Sequence, residues 1–358
     1  MEENDQIHKR RVRYSGKYPK KFEEKYKEHD PNKYADTVAR VIEKGGTPAG
    51  MHISIMVDEI IDFLQIKPGQ TGLDATLGYG GHTSKMLEQL NGSGHIYGLD
   101  VDPIESAKTE KRLRDKGFGE DILTVKLTNF ANIDQVSDEV GKFDFILADL
   151  GVSSMQIDDP ERGFSYRFDA PLDMRMNQED KLTAEIVVNT YSYEQLRHVI
   201  YDYGEEKFAS LIAREIVNSR EIKPIHTTFE LVDVIKKALP NKVLSKVGHP
   251  AKQTFLGIRY EVNKEKTEIE IGVDKGINFL SNGGRLAVIT FNSLEDGLIK
   301  NMFKKYAVKP ATDKWVPEQD IQLDYELVTR KPVAPSEREI EANLRSKPAK
   351  LRVIERKE

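Results

Sequence analysis

Between residues 52 and 64, HISIMVDEIIDFL, apolar side chains recur at the three-and-four spacing of an amphipathic helix, and the run stops before Lys67, Pro68 and Gly69. Period-two and helical patterns then alternate. Strands are predicted over 71–78, 95–102, 123–130 and 143–151. Helices are predicted between them over 82–91, 103–116 and 131–140. Such alternation predicts a doubly wound, mainly parallel α/β sheet. Past Gly151 the pattern turns helical up to about residue 261, with candidate helices at 184–189, 193–203, 205–219, 228–239 and 251–261. Strand character returns at 283–291, a helix follows over 293–306, and 322–333 reads as a last strand. The simplest organisation is a basic N-terminal extension (1–50), a first sheet segment (51–156), an inserted helical region (157–261) and a second sheet segment (262–358) ending in a basic tail.

Composition narrows the classes. With 358 residues, 38% of them hydrophobic, the chain can bury a sizeable core. It has no cysteine, which removes disulfides and thiolate metal sites and suits a reducing cytoplasm. No run approaches the length of a membrane span, and the N-terminus has no apolar core of a signal peptide. Net charge is mildly acidic, 54 basic against 59 acidic residues, yet nine basic residues against two acidic ones fall between Ile7 and Lys27. Tyr14, Tyr18, Phe22 and Tyr26 interleave with them, a mixture suited to a nucleic-acid backbone and its bases or to a solvated tail. Arg345, Lys347, Lys350, Arg352, Arg356 and Lys357 repeat the theme at the other end.

Residues 73–81 read LDATLGYGG and residues 98–103 read GLDVDP. A glycine turn after an apolar strand, with an acid about 20 residues later at the end of the next strand, builds a nucleoside-binding crevice. The carboxylate of Asp100 is placed to accept both ribose hydroxyls. Thr83 stands where the dinucleotide fingerprint needs its third glycine, and no GK[ST] is present, so a pyrophosphate-bearing cofactor is disfavoured. A nucleoside without pyrophosphate remains, and S-adenosyl-L-methionine fits best. At the end of the fourth predicted strand, Asp149 precedes Leu150, Gly151, Val152 and Ser153, where open sheets bind ligands and where a carboxylate could orient an exocyclic amine.

The segments GYGGHTSKML, GLDVDP, DLGVSSMQIDDPERGFSYRFDAPLDMRM, YGEEKFASLIAREIV, GHPAKQTF, FNSLED and NLRSKPAKLRV together resemble the RsmH (MraW) methyltransferases, in that family's order. The resemblance covers nearly everything from His52 onward. It implies a Rossmann-like S-adenosylmethionine-dependent sheet with a helical domain inserted after the fourth strand, and methylation of N4 of a cytidine in the decoding region of 16S ribosomal RNA. The implied partner is that RNA or the small ribosomal subunit, without membrane attachment; a homodimer is compatible with it. Carried over, the resemblance implies that Gly80, Gly81 and His82 contact the methionyl part, Asp100 the ribose, and that Phe130, Asp149 and Gln156 complete the pocket. Each also has a structural alternative: helix cap for His82, core filling for Phe130, turn residues for Asp149 and Gln156. The transfer requires no metal, and Asp149 is the first candidate to accept the amine protons, with Asn292 and Asp173 behind it. Arg162, Arg167, Arg175 and His249 are expected to grip RNA phosphates; Met174 and Met176 are expected in the core.

This chain departs from the family where members usually read FHSLEDR and HPAxRTFQA. It has Asn292 and Gly297 in the first motif, and Gln253, Leu256 and Gly257 in the second. Those changes fall in the substrate half. They define two alternatives: a paralogue acting at another RNA position, and an RNA-binding assembly factor without turnover.

Overall fold

In the computed structural model the described residues are 54–153, 156–157, 159–245, 248–309 and 322–358; the basic arm before residue 50 lies outside them. Their first helix, α1 (Val57–Leu64), buries Ile60 and Leu64, one turn apart. Four strands with three helices between them follow in order. They are β1 (Thr71–Asp74), α2 (Gly81–Leu90), β2 (His95–Asp100), α3 (Pro103–Asp115), β3 (Leu123–Leu127), α4 (Ile133–Val140) and β4 (Phe143–Asp149). Asp102 caps α3, accepting from the backbone of Ile104 and Glu105 ahead of Pro103 at the first helical turn.

After β4 come the helices α5 (Ala184–Thr190), α6 (Tyr193–His198), α7 (Ala209–Ile222), α8 (Thr228–Ala238), α9 (Asn241–Leu244) and α10 (Lys252–Val262). They close round a core of their own, including Leu172, Met174, Val187, Leu196, Ile212, Ile216, Leu231, Ile235, Phe255 and Ile258. Met174 is fully buried and Met176 packs against that core, as the sequence suggests. The single helix predicted over 193–203 is α6 followed by a π-helical turn, Val199–Tyr203. The chain then returns through α11 (Glu265–Asn278), β5 (Leu280–Thr290), α12 (Ser293–Ala307), β6 (Tyr325–Leu327), α13 (Glu337–Ala342) and β7 (Lys350–Arg356).

The seven strands are ordered β3-β2-β1-β4-β5-β7-β6, with β7 antiparallel to both neighbours and the other pairings parallel. Both faces are covered, which is why β4 and β5 read as nearly continuous apolar runs. Leu286 and Val288 face α4, α11 and α12, whereas Ala287 and Ile289 face α1 and α2. Strand order reverses between β1 and β4, so the carboxyl ends of β1, β2 and β4 open a crevice at the switch point.

Two elements correct the sequence reading. The stretch 322–333 contributes the three-residue edge strand β6 and a single bridge from Val333 to Leu351, and the expected basic tail is the interior strand β7. In β7, Leu351, Val353 and Ile354 are fully buried. The charges of this strand are used inside the fold: Arg352 Nε donates to Asp296 at 2.7 Å, Lys350 Nζ donates to the same carboxylate at 3.1 Å, and Arg356 donates to the Leu280 carbonyl at 3.0 Å. Alternating Lys, Arg and Glu hide a strand whose partners lie far away in sequence. Helix α11 was not foreseen, because Gly272 and Gly276 interrupt its apolar stripe. Removing residues 350–358 is therefore expected to abolish cooperative unfolding in calorimetry, since β5 would lose a whole ladder partner; a normal transition would show that β7 is dispensable.

Candidate cofactor and active site

The turn from β1 into α2 forms the floor of the crevice. Gly78 (φ +48°) donates its backbone N–H to Asp100 Oδ2 at 3.0 Å, and Thr109 Oγ1 donates to the Gly78 carbonyl at 2.6 Å. Gly80, the N-cap of α2, sits at φ +70°, and a Cβ there would lie 2.8 Å from Thr109 Cγ2. Only glycine lets this turn lie so close to α3. Gly81 opens α2, whose N-terminus has no side-chain cap. Backbone donors and the positive helix end thus face the crevice.

Asp100 closes the end of β2. Its Oδ1 accepts from the Asp102 backbone at 2.9 Å. Burial pushes its carboxyl up to about 6, while hydrogen bonds from Asp102 and Gly78 restrain the shift and the neighbouring Asp102 charge adds to it. Asp149 occupies the corresponding end of β4, its backbone N–H held by Thr76 Oγ1 at 2.7 Å. Its Oδ1 is buried without a hydrogen-bond partner among the described residues, although 28% of the side chain as a whole stays exposed. Burial raises its carboxyl to about 6, opposed by His82 and reinforced by Asp74 and Glu295.

The ring of His82 lies beside Asp149. Nε2 is 2.8 Å from the Ile55 carbonyl, which only accepts, so Nε2 carries a proton and Nδ1 faces Asp149 Oδ2 at 3.9 Å. Asp74, fully buried, accepts from Thr83 Oγ1 at 2.5 Å, and desolvation raises its carboxyl. Phe130 begins a 3-10 turn, Phe130–Asn132, and α11 approaches its ring so closely that a Cβ on Gly272 would stand 2.0 Å away. Gln156 braces the loop after β4: its Oε1 accepts from the Ser153 backbone at 3.0 Å, and its own N–H donates to Ser153 Oγ at 3.2 Å.

Other expected site residues are placed differently. Asp173 is gripped by Arg175 through Nε (2.8 Å) and NH2 (2.7 Å). Burial would lift its carboxyl, but those hydrogen bonds outweigh it and hold the group below its usual value. A carboxylate stabilised in this way is a poor proton acceptor, and the catalytic expectation for Asp173 is corrected. Arg175 also donates to the Gln178 and Asp180 carbonyls, and Arg162, only 13% exposed, donates to the Arg175 and Met176 carbonyls and pairs with Asp102 at 3.4 Å. Both guanidiniums are clamps between loops, turned inward because the carbonyls there need donors, and are not free for phosphate. Arg167 is exposed and His249 half-buried.

Asn292 caps α12, its Oδ1 accepting from Glu295 N at 2.9 Å and its Nδ2 donating to Tyr260 Oη at 3.2 Å. Tyr260 in turn donates to Glu295 Oε1 at 2.7 Å, while Glu295 Oε2 accepts from the Phe291 backbone at 2.7 Å. Glu295 is 1% exposed. Arg259 makes a two-pronged pair with Glu265, 2.7 and 2.9 Å, and its NH2 lies 3.9 Å from Glu295. Burial and the surrounding carboxylates push the Tyr260 hydroxyl well above its ordinary range. Asn292 therefore has a structural occupation of its own, as a cap tied into a buried network. Sequence reading missed Arg259, Tyr260, Glu265 and Glu295. The signal available was charged residues on otherwise apolar helical faces.

A mainly parallel sheet of this order, with its one antiparallel strand β7, a glycine turn, two strand-end carboxylates and an open helix N-terminus at its switch point, defines a Rossmann-like methyltransferase. Residues 49–357 match the MraW methylase family, and the chain belongs to that family. It is 52% identical over 310 residues to "Ribosomal RNA small subunit methyltransferase H 1" of Lachnoclostridium phytofermentans, covering 85% of this chain and 84% of that one. The protein of the same name from Agathobacter rectalis is 54% identical over 305 residues, 83% of this chain and 86% of the relative. "Ribosomal RNA small subunit methyltransferase H 2" of Alkaliphilus metalliredigens is 44% identical over 359 residues, 98% of this chain and 99% of the relative.

Proposed function

We propose that this protein transfers a methyl group from S-adenosyl-L-methionine to N4 of a cytidine in the decoding region of 16S ribosomal RNA, acting in the cytoplasm on the small ribosomal subunit. The observation that carries the chemistry is the buried, unpartnered Oδ1 of Asp149 at the end of β4, beside the glycine turn. The residues fit the cofactor: Asp100 is positioned for ribose hydroxyls, and the uncapped N-terminus of α2 at Gly80 and Gly81 suits a carboxylate. Phe130, backed by α11, offers an apolar wall, His82 stands at the turn beside Asp149, and Gln156 holds the loop after β4. Bound there, the sulfonium supplies an electrophilic methyl group.

The protein's own task is to present the exocyclic amine, whose lone pair is delocalised into the ring. Asp149 accepts a hydrogen bond from that amine and takes the proton it loses, then releases it to water; its raised pKa brings the acceptor close to the operating pH. Orientation supplies much of the remaining effect. Because the target amine is buried in RNA structure, the base must be turned out of its stack before it reaches the crevice.

Asn292 keeps the α12 cap intact with an oxygen acceptor, which favours retention of the family's reaction over the changed-target reading. Nothing in the structure explains Gln253. The test is incubation of the protein with labelled S-adenosylmethionine and small subunits lacking this modification, followed by mass spectrometry of the RNA. One N4-methylcytidine in the decoding region is expected. A methyl group at another nucleotide would support the paralogue reading, and RNA binding with no methyl group anywhere would leave the assembly factor.

A further inference from the structure

We propose that Tyr166 and His249 form a stacking platform for a nucleotide adjoining the methyl-accepting base, with Arg167 on its phosphate. This inference rests on the RNA-substrate reading above. The two rings lie nearly parallel, 11° apart with centroids at 4.2 Å, and the edge of Phe255 supports Tyr166 at 5.7 Å and 89°. Tyr166 and His249 are half-buried, and Arg167 beside them is exposed, with no partner for its guanidinium among the described residues. Flat rings edged by an uncommitted cation are the combination that holds single-stranded nucleic acid, base on ring and phosphate on charge.

Hydrogen bonds hold the Tyr166 side of the platform in place. The segment carrying Tyr166 and Arg167 is tied down on α8: Thr228 Oγ1 donates to the Phe168 carbonyl at 2.5 Å, Ala170 N donates to Thr228 Oγ1 at 3.1 Å, and Leu172 N donates to the His226 carbonyl at 3.0 Å. Its place along the fold also fits. Phe255, which backs Tyr166, lies one helical turn before Arg259 and Tyr260 on α10, about 6 Å along the axis. Those two residues reach Glu295, whose charge acts on Asp149. Phe255 thus joins the platform to the helix that carries the network behind the catalytic edge. Burial, then the charges of Lys236 and Arg167, lower the affinity of His249 for a proton, so its ring is neutral and stacks instead of competing for phosphate. His249 Nδ1 is also engaged, accepting from the Ala251 backbone at 3.3 Å.

The test uses the full chain, a fluorescent single-stranded RNA containing the decoding-region cytidine, and small subunits lacking the modification. Tyr166→Leu and His249→Ala are each expected to weaken oligonucleotide binding about tenfold, within the range for removing one stacked base, and to raise KM for RNA more than they lower kcat, with cofactor affinity kept. Tyr166→Phe retains the ring and is expected to restore binding. Arg167→Gln is expected to flatten the log-log salt dependence by about 0.7, one single-strand phosphate. Unaltered RNA affinity and KM in both ring variants would overturn the platform. Should Tyr166→Leu melt below the assay temperature, His249→Ala and Tyr166→Phe decide the matter. If the wild-type protein methylates no RNA, the enzyme reading fails, while the anisotropy measurement still reads the platform on its own.

Discussion

Asp149→Ala is expected to lower kcat for methyl transfer by on the order of 10² to 10⁴, the usual scale for losing a positioned proton acceptor. Asp149→Asn is expected to retain part of the rate, because an amide oxygen still accepts a hydrogen bond from the amine. Stability should move the other way. The carboxyl of Asp149 is raised from 3.8 to about 6 by burial, so the folded state holds a proton more tightly than the unfolded chain. Its contribution to stability is therefore full below about pH 4 and is lost as pH rises through about 6. Above that, an ionised, incompletely solvated carboxylate destabilises the ligand-free fold by about 1 to 2 kcal/mol, less than the whole shift implies because part of the side chain reaches water.

Asp149→Asn should accordingly raise the melting temperature at pH 7.5 by a few degrees and by only about a third as much at pH 4.5. The wild-type rate should climb with pH to a plateau above about 6, as the acceptor Asp149 ionises. Calorimetry at the two pH values and a pH–rate profile read all of this. If both variants turn over like the wild type, Asp149 is only a turn residue.

For Asp100→Ala the expected effect is on affinity. Loss of hydrogen bonds between ribose hydroxyls and a charged acceptor should weaken S-adenosylmethionine binding by about 2 to 3 kcal/mol, roughly 30- to 150-fold. Titration calorimetry measures it directly. Asp100 also holds the backbone of Gly78 and Asp102, so Asp100→Asn provides the second reading. That variant keeps an oxygen for one of those donors, sets its amide nitrogen against the other and removes the ionised buried group; these effects oppose each other, so the ligand-free fold should melt within a few degrees of the wild type at pH 7.5 while affinity still falls. Equal affinities in wild type and both variants would remove Asp100 from the site.

The sequence by itself determined the alternating sheet units, the glycine turn, and the placement of Asp100 and Asp149 at strand ends, because these depend on short-range periodicity and on φ values that few residues adopt. It also determined the family, since a long ordered set of motifs is carried by residue identity alone. Tertiary structure decided which charges are free. Arg162 and Arg352 look like surface cations in the sequence, yet each meets a carboxylate brought in by folding, Arg162 from Asp102 sixty residues away and Arg352 from Asp296 fifty-six away. Asp173 lost its catalytic candidacy to a local partner, Arg175 two residues on, through a turn that the periodicity does not reveal. The buried network of Arg259, Tyr260, Glu265 and Glu295 and the identity of β7 as an interior strand likewise depend on pairings distant along the chain. Local pattern records what a residue prefers; whether a charge is paired, and so whether it remains available to a ligand, depends on which partner the fold places beside it.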